Sequence, residues 1–288
     1  MPTTIKTLED RPPQPMRLAC SAPTRAVARR HPCRFAPRFA FYPAPRAAWR
    51  WVVVLLAVLV LPALSAPQAW AQKQSVKPGI NKPFEGENTP VERFIKIFEA
   101  ESRDVYRYRH AIVAVLDLEP GMHVADVGAG TGLFTRLISD LVGPEGRVYA
   151  VDISRGFLEH IRREAESSDR KNVVPVLCEP RDVKLQPESV DRAFVCDTYH
   201  HFEFPQDTLA SIHRALRPDG ELLVVDFERI QGVSPAWVLG HVRCGKGTVT
   251  DEIKDAGFEL VADIPLMDSQ YVLRFRKRPP KPKKAKKP

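Results

Sequence analysis

Three glycines at alternate positions separate a short apolar run from a helical pattern in Val124-Ala125-Asp126-Val127-Gly128-Ala129-Gly130-Thr131-Gly132. Such a loop lets backbone approach a ligand closely and accepts positive φ. Set between a strand and a helix, it marks a cofactor site. A dinucleotide loop is spaced G-x-G-x-x-G, but Leu133 fills the last of those positions, and the G-K-S/T ending of a triphosphate loop is absent. Asp126 stands at the end of the apolar run. A carboxylate about 4–5 Å from a pyrophosphate costs several kcal/mol at an effective dielectric near ~20. The same charge favours a ligand carrying an ammonium and a sulfonium.

A second acid, Asp152, closes the next apolar run, Val148-Tyr149-Ala150-Val151, twenty residues beyond Gly132. That position suits hydrogen bonds to both hydroxyls of a ribose; the alternative is a helix N-cap. The elements that must hold these residues alternate along the chain. Strands are expected at 123–126, 147–152, 173–178, 190–197, 221–226, 259–264 and 271–276. Helices are expected at 132–142, 157–166, 205–216 and 248–256, with helical spacing also over 91–118. Pro218-Asp219-Gly220 reads as a turn before the fifth strand. The pattern predicts an α/β fold: a doubly wound, mostly parallel seven-stranded sheet with helices on both faces, ending in an antiparallel hairpin.

With these residues in view, residues 91–276 resemble the class I S-adenosylmethionine-dependent methyltransferase superfamily, whose fold is Rossmann-like. V-A-D-V-G-A-G-T-G and the acid of Y-A-V-D match its first two motifs. Leu216-Arg217-Pro218-Asp219-Gly220-Glu221-Leu222 resembles its L-x-P-G-G-x-L segment. The resemblance implies S-adenosylmethionine as cofactor and a cofactor-binding set of Asp126, Gly128, Ala129, Gly130, Gly132, Asp152, Ile153, Asp182 and Asp197. Asp182 is the match for an acid that meets the adenine amino group, with Glu179 as the alternative. The implied reaction is methyl transfer to a small-molecule acceptor. Leu133 and Asp126 weigh against a nicotinamide oxidoreductase. An exported, non-catalytic nucleoside-binding protein on the same scaffold is the other reading that stays open.

Asp197-Thr198-Tyr199-His200-His201-Phe202 follows the fourth strand, at the carboxyl edge where such sheets bind ligands. His200 and His201 are the catalytic candidates: an imidazole with a pKa near neutrality takes a proton if the acceptor must lose one. Lining the pocket or capping a helix is their alternative role. No third ligand accompanies them in sequence, so no metal site is expected. Residues 98–110, with Arg103, Arg107 and Arg109, and residues 227–247, with Trp237, His241 and Arg243, are candidates for acceptor selection or a lid.

The +8 net charge of the 288-residue chain is unevenly spread. Residues 1–50 hold ten Lys/Arg and two Asp/Glu, and residues 276–288 hold eight Lys/Arg and no acid, so the part between carries −8. An acidic domain argues against a nucleic-acid partner. The fourteen residues Trp51–Leu64 are uncharged, follow Arg46 and Arg50, and lead to Ala69-Trp70-Ala71. They read as a signal peptide or membrane anchor within a basic leader, residues 1–71, which places the domain outside the cytoplasm or on the inner membrane. Residues 72–90 read as a linker, 91–278 as the domain and 279–288 as a basic disordered tail. Membrane contact is expected through residues 51–71 and that tail. The five cysteines show no C-x-x-C or metal spacing, and Cys178 and Cys196, within apolar strand-like runs, read as small buried hydrophobes rather than a disulfide.

Overall fold

The computed structural model describes residues 72–86 and 89–278. The leader and the basic tail lie outside the described residues. Among the described residues no helix is long and apolar enough to cross a membrane.

Seven strands form one sheet: β1 (His123–Val127), β2 (Arg147–Asp152), β3 (Val173–Leu177), β4 (Val190–Cys196), β5 (Leu216–Phe227), β6 (Phe258–Ile264) and β7 (Gln270–Lys277). Their order is β3-β2-β1-β4-β5-β7-β6. The first five are mutually parallel, and β7 runs antiparallel between β5 and β6. This is the expected doubly wound sheet with its closing hairpin. The helices are α1 (Val91–Phe98), α2 (Asp104–Arg107), α3 (Arg109–Val115), α4 (Leu133–Val142), α5 (Arg155–Ser167), α6 (Pro205–Ala215), α7 (Ala236–His241) and α8 (Lys246–Asp255).

Strand alternation explains the two-sided core. Ala125, Val127, Val195 and Val224 join one cluster, which takes in Leu209 and Ile212 of α6 and Ile253 of α8. Their neighbours Val124, Phe194 and Val225 point to the other face and meet Ile112 of α3 and Phe134 and Ile138 of α4. Successive side chains of a strand face opposite ways, so a sheet covered on both sides requires apolar residues at both parities. β1 leads outward to β2 on one side, while β4 lies on its other side. The strand order therefore reverses between β1 and β4, where a doubly wound sheet opens its ligand crevice.

Three local expectations are corrected. The helical stretch 91–118 is three helices, because the chain turns after α1 to bring Glu99 to the glycine loop. There the Glu99 carboxylate accepts Thr131 Oγ1 and Arg136 Nη2, each at 2.8 Å. Residues 217–220 form the irregular start of β5 rather than a turn: Val190 pairs with Leu216 and Arg192 with Glu221, so the extra β5 residues form a bulge. Residues 72–86 are not a free linker. Val76 N–H donates to Glu203 O at 2.9 Å, and Ile80 and Asn81 are buried against the domain.

Candidate active site

Two adjoining cavities open at the switch point. The larger, about 730 Å³, lies along Asp126, Gly128 and Thr131 and reaches His200, His201 and His241. Its volume is in the range of small-molecule sites. The smaller, about 120 Å³, is walled by Asp152, Ile153, Cys178, Glu179 and Pro180. Gly128, Gly130, Asp197 and Thr198 border both.

The glycine loop is built by its own backbone. Gly128, Gly130 and Gly132 all have positive φ. Gly128 and Ala129 N–H both donate to Val151 O, so the loop is pinned to the end of β2. Asp152 completes that link: Oδ2 accepts Gly130 N–H at 2.9 Å and Oδ1 accepts Ser154 N–H at 2.8 Å. Ser154, not Asp152, caps α5, accepting Phe157 N–H at 3.4 Å. The N-cap alternative for Asp152 is thereby set aside. Burial pushes the Asp152 carboxyl up to about 6, against hydrogen bonds from Ser154 and Gly130 that lower it.

Asp126 lies on the α4 face of β1, where its Oδ2 accepts the Thr135 hydroxyl at 2.6 Å. Burial raises it to about 7, opposed by the Thr135 hydrogen bond and aided by the charge of Asp152. A native pKa above the ordinary 3.8 means that the folded protein holds a proton the unfolded chain releases. Stability then falls as pH rises from about 4 to about 7 and levels off above. Asp126→Asn removes that penalty while keeping an oxygen for Thr135. The ligand-free variant is expected to gain about 2–4 kcal/mol at pH 8 and almost nothing at pH 4. Urea unfolding at the two pH values checks this; equal effects at both would show that the carboxylate carries no burial penalty.

Of the residues singled out from sequence, Asp126, Gly128, Ala129, Gly130, Asp152, Ile153, Asp197, His200 and His201 line one or both cavities. Gly132 and Asp182 do not. Gly132 caps α4 and packs on Ile161, whose Cγ1 would lie 2.9 Å from an added Cβ. Asp182 faces outward to Arg214 at 3.1 Å, and Glu179 instead borders the small cavity. Asp197 sits beyond β4 with φ +47. It pairs with Arg103, and its buried Oδ1 has no hydrogen-bond partner. Burial raises it to about 6 against the pull of Arg103. Arg103 thus belongs to the site, whereas Arg107 pairs with Asp104 and Arg243 with Glu252.

His200 and His201 fall in a short 3₁₀ turn, Tyr199–His201. His200 is buried; Asp226 accepts its backbone N–H at 2.9 Å and holds ring Nδ1 at 2.8 Å. Burial alone would lower the His200 pKa, but the Asp226 carboxylate outweighs it and the net direction is upward. His201 and His241 are lowered by burial and then by the charge of His200. The sequence reading missed Asp226 as a partner of His200, although Asp226 lies at the end of β5 and His200 just beyond β4, strands that prove to be neighbours. It also missed Asn81 and Phe84. Asn81 Oδ1 meets His201 Nδ1 at 3.2 Å, and Phe84 packs edge-on against the His201 ring, 5.4 Å between centroids.

Fold and site together define an α/β domain with a crevice at the reversal of strand order. Comparison with known proteins agrees. Residues 125–224 match a family model described as a methyltransferase domain. The ubiquinone/menaquinone biosynthesis C-methyltransferase UbiE of Bordetella parapertussis is 29% identical over 140 residues, covering 47% of this chain and 54% of that protein. The demethylmenaquinone methyltransferase of Symbiobacterium thermophilum is 31% identical over 124 residues, covering 43% and 49%. The chain thus spans about half the length of the curated relatives it matches. A SAM-dependent methyltransferase from Aquifex aeolicus shares the fold, with TM-score 0.57 and 22% identity over 65% of this chain and 96% of that one. These matches support a methyltransferase domain of the class I S-adenosylmethionine-dependent superfamily in this chain.

The residues present fit that superfamily's cofactor. Side-chain-free backbone at Gly128 and Gly130 borders the cavities, a buried acid stands at the nucleoside end, and no cationic cluster for linked phosphates lines either cavity among the described residues.

Proposed function

We propose that this domain binds S-adenosylmethionine across the two cavities and transfers its methyl group to a small, largely apolar acceptor. The observation that carries this reading is the pair of adjoining cavities in which Asp152 lines the smaller, His200 and His241 line the larger, and Gly128 and Gly130 border both. Bound, the cofactor supplies an electrophilic methyl on a sulfonium; the acceptor's lone pair forms the new bond while the carbon–sulfur pair returns to sulfur.

The protein's contribution is chiefly placement, since holding two reactants in line supplies much of the acceleration. Asp152 receives the ribose hydroxyls, Glu179 lies at the adenine end, and Phe84, Phe98 and Phe157 wall the small cavity. Arg103, 23% exposed beside Asp197, offers a guanidinium to the cofactor carboxylate. Asp126 and Asp197 place negative charge near the sulfonium end. Phe227, Ile230, Trp237 and Val238 give the acceptor end an apolar wall, and Ile230 and Trp237 are about half exposed at its mouth. An acceptor with an apolar body matches that wall; the two curated relatives named above bear names from quinone biosynthesis. The acceptor's reacting atom meets His200, whose Nδ1 is held by Asp226, leaving Nε2 free to accept a hydrogen bond or proton.

Calorimetry on the full chain tests the reading. S-adenosylmethionine and S-adenosylhomocysteine are expected to bind with micromolar affinity and NAD not to bind. Labelled methyl transfer into a pool of apolar metabolites then follows turnover. Indifference to both adenosyl compounds at millimolar concentration would sink the proposal.

A further inference from the structure

Beyond the cofactor, three imidazoles, two adjacent in the chain and one from α7, meet at the acceptor end of the larger cavity. One ring nitrogen from each of His200, His201 and His241 lies within 4.8 Å of the others. His201 Nε2 and His241 Nε2 are 3.4 Å apart. Two imidazole nitrogens on one tetrahedral zinc, each at about 2.0–2.1 Å, are about 3.3–3.4 Å apart. That pair is already at ligand spacing, and the third imidazole offers a nitrogen within 4.8 Å of both.

In His200 and His201 the other ring nitrogen is accounted for in the way metal ligands require. His200 Nδ1 is held by Asp226 Oδ1 at 2.8 Å, which leaves Nε2 toward the cluster. His201 Nδ1 faces Asn81 Oδ1 at 3.2 Å, and Asn81 Nδ2 donates to His201 O at 3.1 Å. A carboxylate or carbonyl behind the far nitrogen is the usual support of a ligating histidine. His241 ends α7, and its carbonyl accepts Lys77 Nζ, which fixes the end of the helix. The Lys77 ammonium acts on all three imidazoles; it is bound to the carbonyls of Gly240 and His241, and the carboxylates of Asp226 and Asp197 oppose its effect at His200.

We propose that His200, His201 and His241 bind one divalent transition ion of the zinc class, with its fourth position open to the cavity. Three protein ligands and an open position are the pattern of a catalytic rather than a structural zinc site. The open position faces the apolar acceptor wall, so it takes a water or an oxygen of the acceptor. An acceptor hydroxyl bound there is oriented, and its acidity is raised so that its proton passes to solvent. Only this role rests on the methyl-transfer reading, and with the ion bound His200 Nε2 is a ligand rather than the acceptor of the substrate's proton.

The test uses the untagged full chain, stripped with chelator and titrated with Co²⁺ alone, without adenosyl compounds. One equivalent is expected to bind, with the intense visible absorption of tetrahedral cobalt, and Zn²⁺ is expected to displace it. His241→Ala, at an exposed position that should leave the fold intact, is expected to weaken uptake at least a hundredfold. Asp226→Asn is expected to weaken it about 10–100-fold while keeping all three ligands. His201→Gln, matched to wild type by circular dichroism, provides a second ligand variant. No stoichiometric uptake, octahedral cobalt, or uptake indifferent to His241→Ala and His201→Gln overturns the site. Calorimetry of the wild type with S-adenosylhomocysteine reports the cofactor reading separately, so the two proposals fail independently.

Discussion

Asp152→Ala is expected to weaken S-adenosylmethionine and S-adenosylhomocysteine alike by about a hundredfold. A carboxylate offers about four acceptor sites. Backbone N–H groups of Gly130 and Ser154 occupy one on each oxygen, and the remainder face the small cavity. Two ribose hydroxyls donating to an ionised acceptor contribute about 1.5–3 kcal/mol each, and part of that is offset by desolvation of a residue already 6% exposed. The variant also frees Gly130 N–H, so the loop loses its tie to β2. Asp152→Asn separates the two effects: its carbonyl oxygen keeps one acceptor and its shape, and an intermediate loss of about tenfold is expected. Calorimetry at pH 7.5 measures both, since the acid's pKa of about 6 leaves it mostly ionised there. Wild-type affinity in Asp152→Ala would remove the ribose from this end of the site.

Gly128→Ala is the second large effect: cofactor affinity is expected to fall at least thirtyfold, with a melting temperature lower by about 5 °C. At φ +76 an alanine is strained by roughly 1–2 kcal/mol. Its Cβ would also lie 2.2 Å from Thr198 Cγ2 and 2.4 Å from Thr198 Oγ1, so Thr198 must move. Thr198 Oγ1 donates to Cys196 O at 2.9 Å, which ties the loop after β4 to its own strand. The shift therefore spreads to Asp197 and to the turn that carries the histidines. Adding Thr198→Ala to Gly128→Ala is expected to restore part of the stability and little of the affinity, because an alanine at φ +76 still strains the loop that borders both cavities. Full recovery of affinity in the double variant would show that Thr198, not close backbone approach, sets the requirement for glycine.

Some of this was legible without coordinates because its causes are local. Apolar residues at both parities of Val124–Val127 and Val148–Val151 can only belong to strands covered on two sides, and they predicted a doubly wound sheet. The glycine loop and the acids after β1 and β2 needed nothing beyond their place at strand ends. Other assignments failed where two nearby residues compete for one role. Asp182 and Glu179 stand three apart across a bridged turn, and pairing of Glu179 with Asp182 in that turn decides which borders the cavity. The composition of residues 72–86 reads as a linker, because polar character hides the few contacts, at Val76, Ile80 and Asn81, that dock it.

Sequence by itself determined the sheet, the crevice and the sign of the charge that lines it, since strand periodicity, turn chemistry and ionisation are properties of short segments. Tertiary structure alone decided the histidine end. Asp226 reaches His200 because β5 lies beside β4, His241 arrives on a helix forty residues after His201, and Asn81 comes from a segment that precedes the sheet. Contacts between residues so far apart depend on which strands become neighbours and where the connections return, and packing of the whole domain settles both.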